Sequence, residues 1–113
     1  MSHSGNRICR VALPLAFCLL LSSAPLWAQG DGATLFKSKC AVCHGADGSG
    51  STAVGKSLHI RDLASADVQK QTDAQLTAIV TDGKGGMPSY KDKLSGDQIK
   101  VLIGFIRDLA KKK

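Results

Sequence analysis

The sequence predicts a small all-α domain. Two capping boxes, Thr72 with Gln75 and Ser95 with Gln98, each open an apolar stripe of helical period. No segment alternates apolar and polar residues as a half-buried strand does, and glycine-rich connections separate the helical stretches. A chain of 113 residues allows one domain and no interdomain cleft.

The first 28 residues stand apart from that domain. A polar stretch carrying Arg7 and Arg10 precedes the apolar run Val11–Leu21, and Ser22, Ser23, Ala24 and Pro25 then lead to Leu26-Trp27-Ala28. This is the order of a cleavable secretory signal, with the cut placed after Ala28. A retained membrane anchor is the alternative, but a spanning helix needs roughly 20 apolar residues, and this run is shorter and holds Pro14. Bulky Phe17 before Cys18 argues against a lipoprotein signal. Residues 29–113 form the expected mature domain, with 13 basic and 9 acidic residues and therefore a charge of +4. Lys111, Lys112 and Lys113 supply three of those charges. Terminal charge on an exported chain speaks against nucleic acid as a partner, despite the +6 of the whole sequence.

Four helical stretches are expected in the domain. The first covers Gly32 to Cys43, with Phe36, Cys40 and Cys43 on one face. Gly45 to Gly55 holds four glycines with Ser49, Ser51 and Thr52 and reads as a flexible loop. It follows no strand and carries no Gly-Lys-Ser/Thr element, so it is not a nucleotide cradle. A short turn is expected at Ser65–Gln69, capped by Ser65, with Val68 facing in. The third helix starts at Thr72, carries Leu76, Ile79 and Val80, and stops at Gly83. The last starts at Ser95, carries Ile99, Leu102, Ile103, Ile106 and Leu109, and ends in lysines that suit its negative terminus. The aromatic inventory of the domain is Phe36, Tyr90 and Phe105. So thin a core implies that something besides side chains fills the middle.

Cys40-Ala41-Val42-Cys43-His44 names that filler. It is the C-x-x-C-H pattern of covalent haem attachment. Thiols at i and i+3 lie on one helix face and can add to the two vinyl groups on one porphyrin edge, while the next residue, His44, falls beneath the iron. A thioredoxin-type redox pair lacks the strands it needs. Zinc would need four ligands from Cys40, Cys43, His44 and His59, and adjacent Cys43 and His44 suit a tetrahedron poorly. A Cys40–Cys43 disulfide would close a loop too small to stabilise much. For the second axial position, Met87 is the sole methionine of the mature domain. It lies in Gly83-Lys84-Gly85-Gly86-Met87-Pro88, where glycines permit close approach to a porphyrin and Pro88 stiffens the chain. His59 competes with it for that position. The pair His44 and Met87 describes a high-potential electron-transfer iron.

Cys40-Ala41-Val42-Cys43-His44-Gly45, Asp62-Leu63, Gly86-Met87-Pro88-Ser89-Tyr90 and the final helix with Phe105 resemble the class I c-type cytochromes along nearly all of residues 29–113. The resemblance implies three to four short helices wrapped around one covalently attached haem c. It also implies that Gly32 and Phe36 on the first helix meet Phe105 on the last. One departure is that Ile60-Arg61-Asp62-Leu63 lacks the proline these proteins commonly have before the leucine that packs on haem. The carbonyl of Arg61 could still accept the Nδ1 proton of His44, and the departure leaves open which carbonyl does so. Arg61, Lys56 and His59 are candidate neighbours of the haem propionates.

An iron with both axial positions filled by protein has none for substrate, so the chain is expected to be an electron carrier and not an enzyme. The expectation is a monomer in a bacterial periplasm, exchanging electrons with membrane-bound or periplasmic redox proteins and not inserted in the membrane. The alternatives are a haem subunit of a larger oxidoreductase, and a gas or redox sensor in which Met87 is displaced. Lys56, Lys84, Lys91 and Lys93 are expected either to ring the haem edge and steer toward an acidic partner or to form an ordinary solvated face.

Overall fold

A computed structural model of the chain describes residues 31–113. The expected signal at 1–28 and its cut lie outside the described residues. Helix α1 (Gly32–Lys39) begins at Asp31, whose carboxylate accepts from the Thr34 amide at 2.7 Å and the Thr34 hydroxyl at 2.9 Å. The stretch expected as one helix to Cys43 is divided at Cys40, where φ widens to −115°. Helix α2 (Ala41–His44) resumes beyond it, with the Cys43 amide donating to the Cys40 carbonyl at 3.1 Å. Helix α1 packs on the helix at Gly96–Lys111, and α2 packs on the one at Ala53–Ser57.

Helix α3 (Ala53–Ser57) lies partly within the stretch read as loop. Helix α4 (Ala66–Gln69) is the expected short turn and buries Val68. Ser65 stands at its N-cap position, but its side chain makes no capping bond. Helix α5 (Asp73–Asp82) and helix α6 (Gly96–Lys111) both start with the reciprocal capping box predicted for them. Among the described residues there are no strands, only one isolated bridge between Lys84 and Met87. None of the described helices is long and apolar enough to cross a membrane.

All five expected stripe residues of α6 are buried, each such burial being worth roughly 1.5–3 kcal/mol. They join Phe36, Val68, Leu76, Val80 and Leu94 in one core. Helix α1 crosses α6 at Gly32. A Cβ there would stand 2.8 Å from that of Phe105 and nearer still to the Val101 carbonyl oxygen. The crossing predicted for Gly32, Phe36 and Phe105 is present, with the two rings 5.0 Å apart between centroids.

Candidate cofactor site

The C-x-x-C-H segment is held by its own backbone carbonyls. Thr52 donates its hydroxyl to the Cys43 carbonyl at 2.6 Å and accepts from the Gly55 amide at 2.8 Å, while the Gly50 amide donates to the His44 carbonyl at 2.7 Å. A Cβ on Gly55 would stand 2.8 Å from the Cys43 carbonyl oxygen, so glycine is required there for contact. The Gly45–Gly55 stretch is therefore a bracket for the motif and not merely a flexible linker. Further along, the Ile60 amide donates to the Gly55 carbonyl and the Leu63 amide to the Gly48 carbonyl.

The methionine segment is fixed on α5. Lys84 and Met87 exchange backbone hydrogen bonds of 3.1 and 3.0 Å around Gly85, which takes φ of +56°. Gly83 has φ of +78°, and a Cβ on it would stand 2.6 Å from the Met87 carbonyl oxygen. Beyond Pro88, the Ser89 hydroxyl donates to the Thr81 carbonyl at 2.6 Å and the Tyr90 amide to the Val80 carbonyl at 3.1 Å.

These segments face one cavity of about 380 Å³, a volume within the range of ordinary ligand sites. Cys40, Cys43, His44 and Met87 all line it. Phe36, Val68, Leu76, Val80, Leu102 and Ile106 supply an apolar wall from the core. His59 lines the cavity too, exposed and held at φ of +51°. Met87 is half-buried against the core instead. Of the basic residues singled out in the sequence, Arg61 and Lys84 line the cavity, whereas Lys56, Lys91 and Lys93 do not. Lys39 does, and no local pattern marked it.

The chemistry of the lining fits a haem. Cys40 and Cys43 are both free thiols, and burial, with the neighbouring Cys43 adding, pushes the Cys40 thiol up to about 11. Burial lowers the pKa of His44 and so favours the neutral imidazole that a metal requires. Its Nδ1 is buried without a hydrogen-bond partner, so neither the Arg61 carbonyl nor another acceptor takes that proton. The 60–63 run is tied to the Gly-rich bracket instead. One imidazole, one thioether and two thiols against an apolar wall form a donor set suited to an iron porphyrin. No group of three or more His, Cys, Asp or Glu side chains among the described residues is arranged to hold a metal ion by itself.

Sequence reasoning missed Thr52 and Gly55 as supports of the motif, though Thr52 carried the residue type of a helix cap. It missed the hydroxyl of Tyr90, which also lines the cavity and donates to the Lys39 carbonyl at 3.0 Å.

Residues 28–106 match the family model for cytochrome c oxidase, cbb3-type, subunit III. Cytochrome c6 of Leptolyngbya boryana is 38% identical over 81 residues, covering 72% of this chain and 92% of the relative. Cytochrome c6 of Synechocystis sp. is 30% identical over 116 residues, 95% of this chain and 94% of the relative. The cbb3-type cytochrome c oxidase subunit CcoP of Azospirillum brasilense is 32% identical over 84 residues, which span 73% of this chain but 28% of that protein. The solved structure of the KustC0563 c-type cytochrome superposes with a TM-score of 0.65 at 32% identity, covering 70% of this chain and 96% of that one.

Proposed function

The chain belongs to the small class I c-type cytochromes, electron-transfer proteins that bind covalently attached haem c, and we propose that it is an exported one-electron carrier with His44 and Met87 as axial ligands. The observation that carries this reading is the convergence of Cys40, Cys43, His44 and Met87 on one apolar cavity. When bound, haem c supplies an iron that accepts and releases a single electron. Cys40 and Cys43 would hold the group through thioether bonds. His44 would hold the iron through a neutral imidazole, from a segment braced by Thr52 and Gly50. Met87 would offer its thioether from a turn locked onto α5, and an iron held by both residues would supply electron transfer and not bond chemistry. The apolar core wall would give a bound haem a low-dielectric surrounding on that side. Arg61, His59 and Lys39 are rim residues able to meet the propionates, and the exposed lysines steer toward acidic redox partners.

In this reading residues 1–28 are an export signal, 29–113 the haem domain, and the periplasm the working compartment. The c6 relatives favour a free monomeric carrier, since this chain aligns over nearly their full length. The match to CcoP supports a second reading, a haem module serving a larger oxidoreductase.

The test uses native exported protein. A free carrier elutes as a monomer, stays low-spin in both oxidation states and leaves its ferrous spectrum unchanged under carbon monoxide. Elution only within a stable multi-protein complex would favour the second reading. A ferrous spectrum that shifts under carbon monoxide would make the protein a sensor.

A further inference from the structure

We infer that the Tyr90 hydroxyl is a positioning group for Met87, tying the methionine segment to the chain that carries the haem-attachment motif. The inference rests on the reading of Met87 as a ligand and adds to it the device that keeps the ligand in place.

The other bonds of the methionine segment hold it on α5 alone. Lys84 with Met87 closes the turn, and Ser89, Tyr90 and Lys91 bond through Ser89 Oγ and the Tyr90 and Lys91 amides to the carbonyls of Val80 and Thr81. The Tyr90 hydroxyl reaches further. It donates at 3.0 Å to the carbonyl of Lys39, 51 residues earlier in the chain. Lys39 is the last residue of α1 and directly precedes Cys40. A carbonyl in the last turn of a helix lacks an intrahelical donor, so the acceptor is free for this use. Tyr90, Lys39, Cys40 and Met87 all line the same cavity. The bond therefore spans the rim from the side that supplies Met87 to the side that supplies Cys40, Cys43 and His44.

A methionine thioether on iron competes with any stronger ligand that arrives from solvent. For such a ligand to win, the Met87 segment must move away from the motif, and that movement breaks the Tyr90–Lys39 bond. Removing the hydroxyl lowers the cost of release by the worth of one neutral hydrogen bond. The apparent affinity for an incoming ligand then rises about two- to tenfold. Phenylalanine isolates the effect, because the ring and the Lys93 ammonium 5.4 Å from its centroid can both remain.

The experiment is an imidazole titration of the ferric holoprotein, wild type against Tyr90→Phe, followed through the methionine-to-iron charge-transfer band. Ser38→Ala, which removes an α1 hydrogen bond to the Leu35 carbonyl away from the cavity, serves as control. The inference requires imidazole to bind about two- to tenfold more tightly to Tyr90→Phe, with Ser38→Ala unchanged. Equal affinity in Tyr90→Phe and wild type overturns the tether while Met87 stands as ligand. An equal gain in Ser38→Ala also overturns it, by showing general loosening. A wild-type ferric protein with no methionine band overturns the Met87 reading and the inference together.

Discussion

The ring of Phe36 meets that of Phe105 at 5.0 Å between centroids and 43° between planes, and the same Phe36 stands 6.3 Å from the ring of His44. The crossing of the first and last helices is thus in contact with the residue assigned to the iron. What lets the helices come so close is Gly32, one turn before Phe36.

Gly32→Ala tests that closeness. The added methyl would meet Phe105 and the Val101 carbonyl, forcing α1 away from α6. The overpacking costs about 1–3 kcal/mol, against a helix-propensity gain of about 1 kcal/mol. Denaturant unfolding of the holoprotein should show net destabilisation and a broadened His44 environment. Wild-type stability in this variant would mean that the crossing has room to spare.

Arg107 fastens the link between α4 and α5. Its guanidinium donates to the Gln69 carbonyl at 2.8 Å, the Gln71 carbonyl at 2.6 Å and the Asp73 carboxylate at 2.8 and 3.0 Å. Gln69 in turn donates to the carbonyls of Leu63 and Ile106. Arg107→Ala should cost about 1–3 kcal/mol, the penalty of stranding part-buried acceptors. Arg107→Lys should recover little of it, since one ammonium cannot serve this planar fork. Hydrogen exchange should speed up at residues 63–73 ahead of α6. Full recovery by lysine would reduce the clasp to a simple charge effect.

What the sequence made legible follows from how far each signal reaches. The capping boxes at Thr72 and Ser95 and the α6 stripe are local, and they appear as read. The four residues assigned to the cofactor were marked by spacing and scarcity, and the fold brings them to one cavity. The break at Cys40 and helix α3 went unread because glycines dominate the stretch before α3 and the helical spacing runs on through Cys40. Thr52 caps α3 while also gripping the Cys43 carbonyl, nine residues away. Ser65 has the residue type of a cap yet its hydroxyl bonds nothing, since type alone does not set geometry. Arg107 and Tyr90 act across 34 to 51 residues, beyond the range of any periodic pattern.

Acid should weaken the fold through surface carboxylates. The Thr34 amide, and then its hydroxyl, hold Asp31 below its ordinary 3.8, and the Lys113 ammonium, then the Ala64 amide, do the same for Asp62. A carboxylate depressed in the folded state stabilises above its unfolded pKa, and that stability is lost as pH falls through the folded value. Stability should therefore decline below about pH 4. The gap between wild type and Asp31→Asn should close in the same window. A gap that persists unchanged at pH 2 would show that the charge of Asp31 plays no part.

Met87→Ala tests whether Met87 and His44 together hold the iron. In the exported holoprotein, this variant should keep its covalent haem on a denaturing gel. It should lose the methionine-to-iron band, fall in reduction potential and bind carbon monoxide when ferrous. A Met87→Ala protein with the spectrum, potential and carbon monoxide indifference of wild type would contradict the assignment and pass the second position to another residue, His59 first among those lining the cavity.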